Sequence, residues 1–244
     1  MNNILSPSTI SSSKLLSFSE LEYDDKLLGD CSELELTYEQ KQSLLFSKEI
    51  FTTDWFSGNV GNWQRIFQIF DLTNENKIIK ALELGSWEGR STCFILNNLM
   101  KNKDSELIVC DTFNGSVEHI KGYELSSIYS RFSHNVTLTG KHKQLKVIRG
   151  STLIEIPKME LTYNNYFNFM YIDASHTAKD VLIDSMNCFC LLAIGGIMIF
   201  DDYLWGDMSK YYECPKYGID TFLNFYKEHI RILSIGYQVV IQKI

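Results

Sequence analysis

Residues 81–96 read ALELGSWEGRSTCFIL, and the fold follows from this stretch. A short apolar run reaches an acid, Glu83; glycines follow at 85 and 89, and helix-compatible residues then begin around Ser91. Gly85 permits a tight turn, Gly89 lets backbone and ligand approach, and Ser91 is placed to cap the helix. The next apolar run, ELIVCD, ends at Asp111, 28 residues after Glu83. A carboxylate there can accept both hydroxyls of a ribose. An acid-glycine turn on one strand and an acid ending the next is what a nucleoside-bearing ligand requires.

Working outward, short β-rich runs alternate with helical stretches, the mark of βαβ units and a parallel sheet. Strands are expected at 78–84, 106–111, 145–150, 167–173 and 196–202, several apolar almost throughout, as strands covered on both faces must be. Helices are expected near 90–102, 122–134, 177–192 and 218–229. The tail RILSIGYQVVIQKI reads as two strands broken at Gly236. The fold class is therefore α/β, a doubly wound, Rossmann-like seven-stranded sheet with its last strand antiparallel. Upstream, residues 1–35 are Ser-rich and then acidic and read as a mobile arm, and residues 36–77 read as a helical extension or lid. Its helices are expected at 37–51 and from Trp63 to Phe70, separated by the turn DWFSGNVGN, with Gly58 and Gly61 as breakers. Residues 78–244 form the main domain.

The composition narrows the function classes. The 244 residues carry 23 basic against 30 acidic side chains, so bulk attraction to phosphate is not the main source of binding energy. Six cysteines show no CxxC pair or metal-ligand spacing and read as reduced thiols. The most apolar run, Cys188 to Phe200, is 13 residues and too short to span a membrane. The first residues lack the long apolar core of a secretory signal, so the expected location is the cytoplasm.

Four segments in order, ELGSWEGRS, VCDTF, YIDASH and GGIMIFDDY, resemble the class I S-adenosylmethionine-dependent methyltransferases. The resemblance is closer to the branch whose first motif reads acid-x-Gly-Ser-x-x-Gly-x-Ser, which includes macrocin-type sugar O-methyltransferases. It covers residues 78–243, with Trp87 standing where many methyltransferases have a glycine. It implies that Gly85, Ser86 and Gly89 wrap the methionine part of S-adenosylmethionine, that Asp111 binds the ribose, and that Gly150 and Ser151 lie near the adenine. Glu83, Ser91, Thr112 and Asp173 complete the expected cofactor site. A dinucleotide fingerprint wants G-x-G-x-x-G, which this turn does not supply.

Asp173 ends the fourth strand, and Asp201 and Asp202 end the fifth. In a parallel sheet these ends are neighbours, and three carboxylates there suit Mg²⁺ or Mn²⁺. Adjacent strand residues face opposite ways, so Asp201 and Asp202 converge only where the strand breaks. The family resemblance agrees, since metal-dependent sugar and catechol methyltransferases place acids at these ends. His176, three residues past Asp173, is the candidate base, with Asp173 beside it; capping the helix from Thr177 is its other reading. His119, His134 and His142 are assigned no chemistry. Walls and a lid are sought in Trp55, Phe56, Trp63 and the aromatic insertion 203–218, where core packing is the competing role. The expected partner is a small hydroxylated acceptor, with a homo-oligomer left open. The rival readings are an RNA methyltransferase, for which Lys101, Lys103, Lys141, Lys143 and Lys146 are the basic candidates, and a noncatalytic cofactor-binding protein.

Overall fold

The computed structural model describes residues 48–116, 119 and 122–244. The arm expected at 1–35 and most of the helix expected at 37–51 lie outside these residues; Lys48–Phe51 is irregular. Helix α1 runs from Val60 to Ile69 and buries Trp63, Ile66 and Phe67. Gly61, expected to break the chain, sits instead in the first turn of α1, where four amide groups have no helical partner to lose and glycine is tolerated.

The main domain then proceeds as β1 (Lys80–Leu84), α2 (Arg90–Leu99), β2 (Glu106–Asp111), α3 (Ile128–Leu138), β3 (Leu145–Arg149), α4 (Thr152–Tyr163), β4 (Phe167–Ile172), α5 (Ala178–Leu191), β5 (Leu192–Phe200), α6 (Pro215–Phe225), β6 (Ile230–Ile235) and β7 (Val239–Lys243). The sheet order is β3-β2-β1-β4-β5-β7-β6. The first five strands pair in parallel, and β7 lies antiparallel between β5 and β6, as the tail pattern requires.

Alternation along the strands divides the core. Ala81, Phe169, Tyr171, Ile197, Ile199 and Val240 pack with Trp63, Ile95, Leu96 and Phe132, from α1 to α3. Leu82, Leu84, Met170, Ile172, Met198, Phe200 and Ile241 pack on the other face with Ile156, Cys188 and Phe222, from α4 to α6. Because period-2 strands put every other residue on one face, Glu83 and Tyr171 share the α1–α3 side.

Several boundaries differ from the sequence reading. α4 was not expected, since Pro157 lies inside it and removes a backbone donor, yet the helix persists by burying Ile156 and Met159. β5 begins at Leu192 rather than 196, directly after α5, with a register shift against β4. α3 starts six residues later than expected and α6 starts three earlier, with Pro215 in its first turn, where proline's missing amide is not needed.

One glycine contact brings the carboxyl ends of β1 and β4 together. The Asp173 amide donates to the Leu84 carbonyl at 2.8 Å, and Gly85 follows with φ +78°. A Cβ on Gly85 would lie 1.9 Å from the Asp173 carbonyl oxygen. Gly85→Ala should therefore destabilise the protein by more than about 3 kcal/mol, the left-handed cost plus a backbone clash. Gly140→Ala, at φ +67° with nothing near the added carbon, should cost about 1–2 kcal/mol. Urea melts of the two variants check this; equal losses would mean that the close approach to β4 carries no weight.

Candidate active site

At the carboxyl end of β1 the turn is organised around two carboxylates. Asp111 Oδ2 accepts the amides of Ser86 and Trp87 at 2.6 and 3.0 Å and the Ser86 hydroxyl at 3.2 Å, while Oδ1 accepts the Phe113 amide at 2.6 Å. Asp111 thus ties the β1 turn to the end of β2 and presents the remaining lone pairs of its half-exposed carboxylate. Glu83 lies beneath the turn, fully buried, and accepts the hydroxyls of Ser91 and Thr92 at 2.5 and 2.6 Å. Ser91 is therefore not the helix cap: Gly89 occupies that position at φ +83°, and the Ser91 hydroxyl turns inward to Glu83. These two residues shape the turn from below.

Gly89 meets Phe132, whose ring carbon would lie 2.8 Å from an added Cβ. Thr112 is exposed and its hydroxyl accepts the Asn114 amide at 3.2 Å. The Gly150 amide donates to the Asp111 carbonyl at 3.0 Å, placing Gly150 and Ser151 beside the end of β2.

Across the turn, β4 and β5 supply the acids. β5 ends at Phe200, and Asp202 takes φ +57°, so the strand breaks where the two aspartates need it to. Side-chain ligand atoms of Asp173, His176 and Asp202 lie within 4.8 Å of one another. His176 Nε2 is 2.8 Å from Asp202 Oδ2, and Asp202 Oδ1 accepts the Tyr237 hydroxyl at 3.0 Å. Asp201 stands behind this group rather than in it. Its Oδ2 is held by the Tyr171 hydroxyl and, at 3.0 Å, by Gln238 Nε2; its Oδ1 accepts the Asp202 amide at 2.8 Å. The Tyr171 hydroxyl also lies 3.0 Å from Asp173 Oδ2, bridging the two strand ends.

Burial and the neighbouring carboxylates of Asp201 and Asp202 push Asp173 well above the usual aspartate range, against the opposing pull of His176 and Tyr171. Burial, then Asp202, raises Asp201 to about 6. Burial and the crowding of like carboxylates thus both favour the protonated forms of Asp173 and Asp201.

Two expected wall residues are core. Phe56 and Trp63 are buried, and Trp63 Nε1 donates at 2.9 Å to Gln238 Oε1, the amide that also holds Asp201. Trp55 and Trp205 are at the site: Trp205 packs 4.6 Å from the His176 ring, centre to centre. His119, assigned no chemistry from the sequence, stacks on Trp55 and faces His176 at 6.4 Å. Tyr171, Gln238 and Tyr237 were missed; the one available signal was a glutamine beside the apolar run Val239–Ile241.

Residues 82–203, half of the chain, match the methyltransferase domain family. The chain belongs to this family. The methyltransferase has no match among curated protein sequences. Among solved structures it is similar to an O-methyltransferase from Bacillus cereus in complex with SAH (15% identity, TM-score 0.57, 90% of this chain and 96% of that one). It is similar also to MycE of the mycinamycin biosynthetic pathway, solved with Mg, SAH and mycinamycin VI (13%, 0.54, 92% of this chain and 64% of that one). A putative rRNA-methylase from Clostridium thermocellum is comparable (12%, 0.56, 80% and 98%). At these identities the likeness is one of fold: the class I, S-adenosylmethionine-dependent methyltransferase fold. No helix among the described residues is long and apolar enough to cross a membrane.

Burial pushes the Glu83 carboxyl up to about 8 from an ordinary value near 4.5, against the lowering effect of the Ser91 and Thr92 hydroxyls. Between those values the native state holds a proton that the unfolded chain releases, so this group makes stability fall as pH rises through the window. Glu83→Gln keeps the hydroxyl partners and removes the titration. Its urea midpoint should decline less than wild type's between about pH 5 and about pH 8; parallel declines would show that Glu83 is not the titrating group.

Proposed function

We propose that this methyltransferase moves a methyl group from S-adenosylmethionine to a hydroxyl of a small molecule, a sugar, glycoside or other hydroxylated acceptor, with a divalent metal, Mg²⁺ first, at the β4 and β5 ends. The observation that carries the reading is the His176–Asp202 pair, 2.8 Å apart, beside Asp173 and across from the Gly85 turn. Gly85, Ser86 and Gly89 hold the methionine part, Asp111 the ribose, and Thr112, Gly150 and Ser151 the adenosine side.

The donor set fits a hard cation: the Asp173 and Asp202 carboxylates can converge on one point, with the His176 imidazole beside them. Asp173 and Asp202 would supply oxygen ligands. Asp201, included in the set expected from sequence, orients Asp173 through Tyr171 in this arrangement. Such a cation, when bound, polarises the acceptor hydroxyl. His176, paired through Nε2 with Asp202, takes the hydroxyl proton as the oxygen bonds to the methyl carbon, and Asp202 stabilises the imidazolium formed. The methyl–sulfur bond breaks with its electron pair left on sulfur, giving S-adenosylhomocysteine. Transfer is in line, so the two strand ends contribute chiefly by positioning.

The RNA reading loses support from topology. Lys146 pairs with Glu106 at 2.9 Å and Lys141 Nζ donates to the Met100 carbonyl, both near the amino ends of β2 and β3. Lys101 and Lys103 precede β2. The site lies at the opposite, carboxyl ends.

Chelation with EDTA should abolish turnover while S-adenosylhomocysteine still binds, and Mg²⁺ or Mn²⁺ should restore it. His176→Ala should lower the rate about 10²- to 10⁴-fold without removing metal, and Asp202→Ala should lower metal affinity and rate together. Asp111→Asn should weaken cofactor binding by about 1.5–3 kcal/mol in calorimetry. Methyl transfer indifferent to chelator and to both site substitutions would leave these side chains with a structural role.

A further inference from the structure

We infer that the tip of the β6–β7 hairpin is a third part of the site: Gln238 and Tyr237 are the positioning residues that give Asp201 and Asp202 their separate roles, and Trp63 locks Gln238 in direction. This rests on the metal-assisted reading above and names the side chains on which it depends. The ladder between β5 and β7 ends with Phe200 opposite Val239. Continued past the strand ends, the same register sets Asp201 opposite Gln238 and Asp202 opposite Tyr237, and the Tyr203 amide donates to the Tyr237 carbonyl at 2.9 Å. Neighbouring residues of an extended chain point to opposite sides, so two adjacent, identical acids meet two adjacent, chemically different partners.

Gln238 is only 4% exposed, yet both ends of its amide are used: Oε1 accepts Trp63 Nε1 at 2.9 Å, and Nε2 donates to Asp201 Oδ2 at 3.0 Å. A residue that only filled this space would be apolar, since burying an amide costs free energy. The indole offers a donor and no acceptor, so it takes the carbonyl end of the amide and leaves the NH₂ end to Asp201. Turned over, the amide would set its carbonyl against the Asp201 carboxylate and its NH₂ against the indole N–H. Asp201, with Oδ2 also held by the Tyr171 hydroxyl and Oδ1 by the Asp202 amide, is thereby kept behind the site.

Tyr237 has the opposite task. Its half-exposed side chain brings the hydroxyl to Asp202 Oδ1 at 3.0 Å, while Oδ2 lies 2.8 Å from His176 Nε2. Held at both oxygens, Asp202 keeps one orientation beside Asp173 on a left-handed backbone (φ +57°), and its remaining lone pairs are left for a cation. Trp63, Tyr237 and Gln238 all lie outside the matched segment 82–203, so these supports of the acids come from the chain on either side of it.

The test uses the full chain with S-adenosylhomocysteine and takes Mn²⁺ as the probe, its affinity read from the loss of the free-ion EPR signal. Gln238→Met, which keeps the length and removes the amide, and Tyr237→Phe should each weaken Mn²⁺ about tenfold, with S-adenosylhomocysteine affinity retained as proof of folding. Trp63→Phe should weaken Mn²⁺ as well, but add nothing in the Gln238→Met background, because it acts through that amide. Phe67, one turn further along α1, packs on Trp63 and Phe169 without a polar atom, so Phe67→Leu should lower the melting temperature and leave Mn²⁺ affinity unchanged. Mn²⁺ affinity unmoved in both Gln238→Met and Tyr237→Phe, or lowered as much by Phe67→Leu, overturns the inference, and a Trp63→Phe loss that adds in full to that of Gln238→Met overturns the lock. Should Gln238→Met not fold, Tyr237→Phe decides alone. A wild-type protein that binds S-adenosylhomocysteine but no Mn²⁺ overturns the metal reading beneath the inference.

Discussion

The Asp173 backbone rests on the turn after β1. Its amide donates to the Leu84 carbonyl, and its own carbonyl occupies the space where any side chain at position 85 would begin. A single missing Cβ therefore sets the distance between the turn after β1 and the acids at the ends of β4 and β5. Methyl transfer needs donor and acceptor groups held at near-contact spacing, and in the arrangement proposed above that spacing would be a property of paired backbone. The hydrogen-bonding of Asp111 to the Ser86 and Trp87 amides fixes the same turn from the β2 side.

Buried polarity is concentrated on one face of the sheet. Glu83, Tyr171, Asp173 and Asp201 follow the alternation that points toward α1–α3, and a hydrogen-bonded series runs from Trp63 through Gln238 and Asp201 to Tyr171 and Asp173. Each member satisfies the next, so a change at Trp63, far from any reacting atom, would be felt at Asp173. This series explains why a tryptophan of α1, outside the matched family segment, is wholly buried: its indole N–H is the outer support of the acids. The antiparallel insertion of β7 is equally functional, because Gln238 and Tyr237 reach Asp201 and Asp202 only from that position.

The segment 50–57 serves the site by another route. Asn135 holds the Ile50 amide and carbonyl, and Glu88 holds Thr52, so the chain entering α1 is fastened to α3 and to the glycine turn before it presents Trp55. The glycine turn and the segment bearing Trp55 are thereby fastened to one another through Glu88.

The sequence by itself determined the sheet, the glycine turn with its two acids, and the acidic strand ends, because period-2 apolar runs, obligatory glycines and like charges gathered at strand termini are local signals with few alternative causes. It left the other questions open. Asp201 and Asp202 are adjacent and chemically identical, and only the backbone break at Asp202 and the partners Tyr171 and Gln238 separate a carboxylate facing the site from one supporting it. Trp55 and Trp63 read alike, yet one is half exposed and the other wholly buried, since helix phase and β7 decide which ring meets Gln238. α4 escaped notice because burial of its apolar face outweighs the local penalty of Pro157. His119 stands in a loop where no local pattern marks it, and its place beside His176 arises from folding that joins residues more than fifty positions apart. Local chemistry is written along the chain, whereas the partners that select one role from several come from elements that meet only when the sheet is assembled.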